Sequence, residues 1–322
     1  MIISSYARSW ILLAPLVPSI MITIFVLYHL LKNRVLRSAL NNHVIIVLLF
    51  VVLVEELTGT VWNIYFFRNN ISPLLTSTFC YAWVYLDTVA TVSIYILITW
   101  AAIERHILIF HSNMLMTRKK RLIFHYLPIV ACILYPMTFY FVLFFLVPCN
   151  LPLSYTLRQC GRYSCIISSP NIGLYDGLVH YILLAFVTVI FSVGLFLRVL
   201  HQKYQVHRRF IWRNYRKMVW QLFPIALLYM LLQLPPMLLY AAYSAGLSRT
   251  VGADFFSNSL FFSFYIVLLT PFACAASLPG LRTKCRDALL FWRRGHTIGP
   301  VQVVAATPAN VQRANGNATT PV

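Results

Sequence analysis

The feature that most constrains this chain is a series of long apolar runs that contain no Asp, Glu, Lys or Arg. A helix needs about 20 such residues to cross a hydrocarbon core of about 30 Å, because each residue rises about 1.5 Å. Five runs reach that length: 10–31, 122–147, 177–197, 218–245 and 255–281. The sequence therefore predicts at least five membrane-spanning helices.

Two further runs are equally apolar except for Glu55, Glu56, Asp87, Glu104 and Arg105. The composition agrees with a membrane protein, since only 10% of the residues are charged, whereas soluble domains have about 25%. A β-barrel would need segments of about 10 residues that alternate between apolar and polar, and these runs do not alternate. We predict an all-α membrane protein, a seven-transmembrane helix bundle with spans near 10–31, 43–65, 74–108, 122–147, 173–200, 215–245 and 255–280.

The distribution of basic residues predicts the orientation, because cytoplasmic loops carry an excess of Lys and Arg. With the N-terminus outside, the outer side keeps only five of the 26 basic residues: Arg8, Arg68, Arg158, Arg162 and Arg249. The net charge of +19 then reflects topology and attraction to anionic membrane lipid, and nucleic acid is not needed as a partner. We expect a multi-pass plasma-membrane protein with an extracellular N-terminus and a cytoplasmic C-terminus.

The segments outside the bundle of residues 10–281 are short. Residues 1–9 form a short extracellular N-terminus. Residues 281–293 place apolar side chains on one face and basic ones elsewhere, which predicts an amphipathic helix on the cytoplasmic membrane surface. Cys285 lies on its membrane face and is a candidate for palmitoylation. The tail 294–322, rich in Ala, Asn, Thr, Pro and Gly, is predicted to be disordered.

The third predicted span carries chemistry at both of its ends. Cys80 and Asp87 lie towards the outer end, and Glu104, Arg105 and His106 lie at the inner end. Asp87 precedes Arg105 by 18 residues, which is about five helical turns and ~27 Å along one face. One helix therefore combines an outer cysteine, an outer carboxylate and an inner acid–base pair.

These features resemble the rhodopsin-like (class A) G-protein-coupled receptors. That family has an acid-Arg-aromatic motif at the end of its third helix, a cysteine 25 residues before that arginine, prolines in its sixth and seventh helices, and a short surface helix after the last span. The matching residues are Cys80, Glu104, Arg105, His106, Pro235 or Pro236, and Pro271. The chain looks like a divergent, invertebrate-type member of the family over roughly residues 10–292.

The resemblance implies that the Glu104–Arg105 pair holds an inactive state. Arg105 is then freed when the sixth helix swings out to admit a heterotrimeric G protein, and arrestin is a second implied partner. The chain departs from the family at several points, which include Cys274 in the place of the tyrosine that ends the seventh-helix motif. Val52 stands where the family usually has a sodium-binding aspartate, and Gln233 or Leu234 stands where it has a tryptophan.

Asp87 is the leading candidate for ligand binding. A carboxylate in hydrocarbon costs about 2.5–3.5 kcal/mol on insertion scales, so it faces the bundle interior and meets a partner. No Lys or Arg lies in the outer halves of the spans, and Glu55 and Glu56 add negative charge. The resemblance places Asp87 where amine receptors hold an ammonium group, so we expect an extracellular cationic small molecule or short peptide as ligand. A protonated Asp87 that hydrogen-bonds to a neighbouring helix is the alternative. Further candidates for the same cavity are Asp176, His180 and Gln233.

Four cysteines lie on the predicted outer side, where disulfides persist: Cys80, Cys149, Cys160 and Cys165. The resemblance pairs Cys80 with the long outer loop. We favour Cys165 as its partner because Cys165 is closest to the fifth span, with Cys160 or Cys149 as alternatives. A bridge between Cys149 and Cys160 would then be a candidate for a second disulfide.

The residues predict a receptor rather than an enzyme. The histidines are dispersed over loops and helix ends, and we expect no metal site, no cofactor and no catalytic cluster. A membrane transporter is one alternative function, although paired repeats or interrupted helices are not evident in the sequence. A seven-span chemosensory protein that acts without G proteins is the other.

Overall fold

A computed structural model of the protein describes residues 3–164, 169–206 and 209–277, with side chains throughout except at 112, 170, 202–223 and 225. In these ranges the regular structure is helical and contains no strand. Seven of the described helices are long and apolar enough to cross a membrane, which confirms the predicted fold class. They are α1 (Ser5–Lys32), α2 (Leu40–Asn69), α3 (Ser77–Phe110), α4 (Arg118–Leu146), α5 (Asn171–His201), α6 (Arg209–Ser244) and α7 (Ala253–Ala276).

The third helix, α3, lies at the centre of the bundle. It packs against α2, α4, α5 and α6, while α1 packs against α2 and α7. Contacts between α5 and α6, and between α6 and α7, close the ring. In α3, 67% of the most apolar stretch is buried, compared with 28–50% in the other six helices. A side chain on almost any face of α3 therefore meets another helix.

The outward faces of the surrounding helices are apolar. Large side chains such as Met21, Leu134, Ile190 and Leu231 are more than half exposed. An apolar surface of this extent is stable in contact with lipid, and a helix satisfies its own backbone hydrogen bonds there. The outer surface of the bundle is therefore apolar, while its buried interior combines apolar side chains with polar ones.

Two helices contain wider π turns beside buried acidic residues. The π turn of α2 is Glu56–Thr60, and that of α5 is Asp176–Leu183. A π turn adds a residue to the turn, so the side chains that follow it are rotated relative to a regular α-helix. Glu55, Glu56 and Asp176 are all buried inside the bundle.

A disulfide joins Cys80, near the start of α3, to Cys160 in the loop between α4 and α5. The prediction that favoured Cys165 is wrong, and a bridge between Cys149 and Cys160 is excluded because Cys160 is already paired. The physical reason is a tight turn of the loop, in which Gln159 and Cys160 have φ angles of 51° and 54°. This left-handed conformation is uncommon for residues other than glycine. Cys149 is also disulfide-bonded, and Cys165 lies outside the described residues.

The two ends of α1 have clear local causes. The helix begins at Ser5 because the Ser4 side chain accepts a hydrogen bond from the Ala7 amide at 3.3 Å. Asn33 follows the helix and caps the short helix Arg34–Ser38.

At the other end of the chain, the predicted helix 281–293 with Cys285 and the predicted tail 294–322 lie outside the described residues.

Candidate functional site

A cavity of about 150 Å³ lies inside the bundle, at the end where the disulfide holds the loop against α3. Its walls come from α3, α5, α6 and α7, and loop residues 158, 159 and 163 complete it. We call it the α3 cavity. Six of its lining side chains are aromatic: Tyr95, Tyr163, Tyr181, Tyr240, Phe256 and Phe264.

Asp87 lines this cavity, and three side chains hold its carboxylate. Oδ1 accepts from Asn63 Nδ2 of α2 at 2.8 Å, and Oδ2 accepts from Gln159 Nε2 at 2.5 Å and from Arg158 Nη2 at 3.2 Å. Arg158 also donates through Nε to Asn63 Oδ1 at 2.7 Å, and its guanidinium lies 4.9 Å from the centre of the Phe264 ring. The premise that Asp87 has no basic partner within the protein is therefore wrong, because the loop supplies the arginine that the spans lack.

The two glutamates of α2 face different neighbours. Glu55 is buried within hydrogen-bonding reach of the Asp87 carboxyl group. Gly59 makes room for both groups, since a Cβ atom at that position would lie 2.6 Å from Asp87 Oδ1 and would overlap the Glu55 carboxyl group. Glu56 instead accepts a hydrogen bond from Thr23 of α1 at 3.0 Å. Glu55 therefore belongs to the Asp87 cluster below the cavity, and Glu56 belongs to the contact between α1 and α2.

Asp176 and His180 form a second polar cluster at the start of α5. Asp176 Oδ1 accepts from His180 Nδ1 at 2.8 Å and from the Tyr140 hydroxyl at 2.5 Å, and Oδ2 accepts from the Tyr163 hydroxyl at 2.7 Å. His180 Nε2 bonds to the Tyr135 hydroxyl at 2.8 Å. Burial, with the Asp176 carboxylate nearby, raises the pKa of Tyr163 well above its ordinary value, so this phenol remains a donor. Tyr163 lines the α3 cavity, so Asp176, held by His180, fixes the position of one side chain of the cavity wall.

Gln233 and Tyr240 of α6 bring two further polar groups to the cavity. Gln233 Oε1 accepts from the Tyr95 hydroxyl at 2.9 Å. Tyr240 is only 4% exposed, and its hydroxyl makes no hydrogen bond of normal geometry among the described residues, although the Tyr163 hydroxyl lies close to it. Buried polar groups nearly always have a partner, so an unpaired hydroxyl at a cavity wall marks a place for a ligand atom or a water.

At the opposite end of α3, a buried chain of hydrogen bonds joins three helices. Glu104 of α3 bonds to His125 Nδ1 of α4, and His125 Nε2 lies 2.9 Å from His43 Nδ1 of α2. His43 Nε2 donates to the carbonyl oxygen of Arg37 at 2.9 Å. We call Glu104, His125 and His43 the histidine relay. The structure places His125 on the Glu104 carboxylate, and Arg105, which the resemblance pairs with Glu104, lies within electrostatic range of the same carboxylate.

The other residues predicted to act in activation also lie on or beside α3. Arg105 is 1% exposed and lies near α7. His106 Nε2 bonds to the carbonyl oxygen of Phe191 at 2.7 Å and so links α3 to α5. The two prolines, Pro235 and Pro271, lie inside α6 and α7.

Sequence reasoning missed the side chains that hold Asp87 and Glu104: Asn63, Arg158 and Gln159 around Asp87, and His125 with its partner His43 at Glu104. Two of them carry a partial signal in the sequence. Asn63 is a polar residue within an apolar run, and Arg158 is one of the few basic residues on the predicted outer side, two positions before a cysteine. The other three look like ordinary loop or helix-end residues.

No protein-family model matches the chain, and no curated protein matches it in sequence. Its class follows from the fold instead. It is an all-α, multi-pass membrane protein with seven spanning helices in the described residues, and it carries a small cavity near one end of α3 and a buried relay at the other.

Proposed function

We propose that this protein is a rhodopsin-like G-protein-coupled receptor, which transduces the binding of an extracellular small molecule into G-protein activation. The observation that carries the proposal is the arrangement of α3. Its Asp87 end lines the cavity, and its Glu104–Arg105 end lies about 27 Å away among buried charged side chains. A ligand that binds one packing of the helices more tightly shifts the equilibrium between packings, and the shift reaches both ends of the same helix.

The proposed orientation has the cavity end outside the plasma membrane. Disulfides such as Cys80–Cys160 persist in an oxidising exterior. Arg8 near the N-terminus bonds to Asn258 of α7 at 3.1 Å, which puts the N-terminus at this same end. The basic run 118–121 begins α4 at the other end, as expected for a cytoplasmic face.

In this proposal the cytoplasmic partners, the heterotrimeric G protein and arrestin, bind near Arg105. The cationic ligand that the sequence suggests depends on an unpaired Asp87. Because Arg158 already supplies that positive charge, the chemical class of the ligand is argued separately below.

The test is G-protein activation in cells that express the chain. The wild type is exposed to biogenic amines, short cationic peptides and uncharged one-ring compounds, and it is compared with Arg105→Ala at matched surface expression. We expect a ligand-dependent response that Arg105→Ala lowers at least tenfold. His111→Ala changes an exposed residue just after α3 and should leave the response intact.

Two outcomes would contradict the proposal. A response that survives Arg105→Ala would remove Arg105 from the coupling step. Solute flux across the membrane without any G-protein response would identify a transporter instead.

A further inference from the structure

The charges beneath the α3 cavity cancel without any ligand. Glu55 and Asp87 are two carboxyl groups that approach the same side of Gly59 and lie within hydrogen-bonding reach of each other. Such a contact needs one proton, because only a protonated carboxyl can donate. One negative charge then remains on the pair. Arg158 contacts Asp87 at 3.2 Å and supplies one positive charge. The cluster is therefore neutral overall.

A cationic ligand would gain little at such a site and would meet a like charge. The Arg158 side chain lines the cavity and keeps 31% of its surface exposed. Asp87 already accepts hydrogen bonds from Asn63, Gln159 and Arg158. An ammonium group would have to displace Arg158 from the carboxylate, because two cations at close range repel each other in a medium of low dielectric constant.

The size of the cavity limits the group that it can enclose. A volume of about 150 Å³ is enough for one benzene-sized ring, whereas drug-sized ligands need about 300 Å³ or more. The aromatic walls include Tyr95 and Phe264, which offer ring faces and edges for stacking.

The polar groups left open in the cavity include a hydrogen-bond donor. The Tyr240 hydroxyl is buried at the wall near the Tyr163 hydroxyl, and it makes no hydrogen bond of normal geometry among the described residues. A buried hydroxyl without a hydrogen bond is unfavourable, so a ligand that accepts its hydrogen bond gains binding free energy.

We propose that the α3 cavity binds an uncharged molecule about one aromatic ring in size, which carries a hydrogen-bond acceptor for Tyr240, and that Arg158 is the residue that excludes cations. This inference names the ligand class for the receptor proposed above and rests on that proposal for its signalling role. Binding itself requires no G protein, so it is measured separately.

The test uses the purified full-length protein in lipid nanodiscs, with benzyl alcohol and benzylamine as probes of nearly equal size and different charge. Dissociation constants come from saturation-transfer NMR, with empty nanodiscs to subtract partition into lipid. Wild type should bind benzyl alcohol at least tenfold more tightly than benzylamine. Tyr240→Phe should weaken the binding of benzyl alcohol at least fivefold.

Variants of the loop then test the role of Arg158. Arg158→Gln should strengthen benzylamine binding at least tenfold, since the carboxyl pair then has no cation, and adding Asp87→Asn should abolish that gain. Arg162→Gln is the matched control, because Arg162 lies in the same loop over the Tyr81 ring, outside the cavity lining. It should leave both dissociation constants unchanged.

Three results would overturn the proposal: tighter binding of benzylamine than of benzyl alcohol to the wild type, an unchanged ratio in Arg158→Gln, or no binding of either probe to the wild type. If Arg158→Gln does not fold, the proposal is still tested by the ratio of the two dissociation constants in the wild type and by the effect of Tyr240→Phe. A protein that binds as expected without activating a G protein would refute the receptor function while leaving this ligand class in place.

Discussion

Replacement of His125 by leucine tests whether the histidine relay, rather than Arg105, holds Glu104. The hydrogen bonds of the relay determine where its protons lie. His43 donates through Nε2 to the Arg37 carbonyl oxygen, so in its neutral form it accepts through Nδ1 from His125 Nε2. His125 Nδ1 then faces the Glu104 carboxylate, and this contact is a hydrogen bond only if one proton lies between them. The pair thus carries a proton that a leucine cannot supply.

The size of the effect follows from burial. His125 is 0% exposed and Glu104 is 2% exposed. Removal of one partner from a buried ion pair costs about 3–5 kcal/mol, because the remaining charge has no compensation. The side chains of leucine and histidine have similar volumes, so the additional cost from packing is small. We expect His125→Leu to lower the free energy of unfolding by about 3–5 kcal/mol.

A second change separates charge from packing. The double variant His125→Leu with Glu104→Gln also removes the Glu104 charge, so an amide takes the place of a carboxylate without its histidine, at a cost of about 1–3 kcal/mol. The double variant should therefore be about 2 kcal/mol more stable than His125→Leu alone. The control is His111→Leu, at an exposed position, which should stay within about 0.5 kcal/mol of wild type.

The assay is equilibrium unfolding in detergent micelles by titration with sodium dodecyl sulfate, followed by tryptophan fluorescence. Two results would refute the reasoning. A cost below about 1 kcal/mol for His125→Leu would show that another group, such as Arg105, compensates Glu104. A double variant no more stable than the single one would show that the loss comes from packing rather than from charge.

Two further changes test the other end of the bundle with the same titration. Gly59→Ala places a Cβ atom 2.6 Å from Asp87 Oδ1, so the carboxyl pair must shift, and we expect a loss of about 1–3 kcal/mol. Gly194→Ala is the control, because the added Cβ atom lies at an ordinary 3.7 Å from its nearest neighbour. Equal losses of stability from the two alanine variants would argue against the close approach at Gly59. Cys80→Ser, Cys160→Ser and the double variant should lose the same stability, because all three break one bond between residues 80 positions apart, with a chain-entropy limit of about 4–5 kcal/mol. Additive losses from the two single serine variants would show that these cysteines do not pair with each other.

The number of spans and their approximate positions follow from the sequence alone. The length of an apolar run and the cost of a charge in hydrocarbon are local properties, so they can be evaluated without knowing where the neighbouring helices lie. The same local reasoning places Asp87 and Arg105 on one face of a single helix, 18 residues apart, and both are buried in α3.

The partners of these residues were decided only by the tertiary structure. Arg158 lies 71 residues after Asp87, and His125 lies 21 residues after Glu104 on a different helix. Neither pairing has a spacing signal, because each depends on how two separate segments are positioned against each other.

The path of the loop and the π turns are the physical reason why the sequence does not reveal these partners. The left-handed turn at Gln159 directs the loop into the bundle, and this turn sets both the disulfide with Cys160 and the contacts of Asp87. The π turn beside Glu56 rotates the following part of α2, a change of phase that an ideal period of 3.6 residues does not anticipate. Hydropathy alone predicts which segments enter the membrane, whereas helix rotation and loop path determine which charges meet inside it.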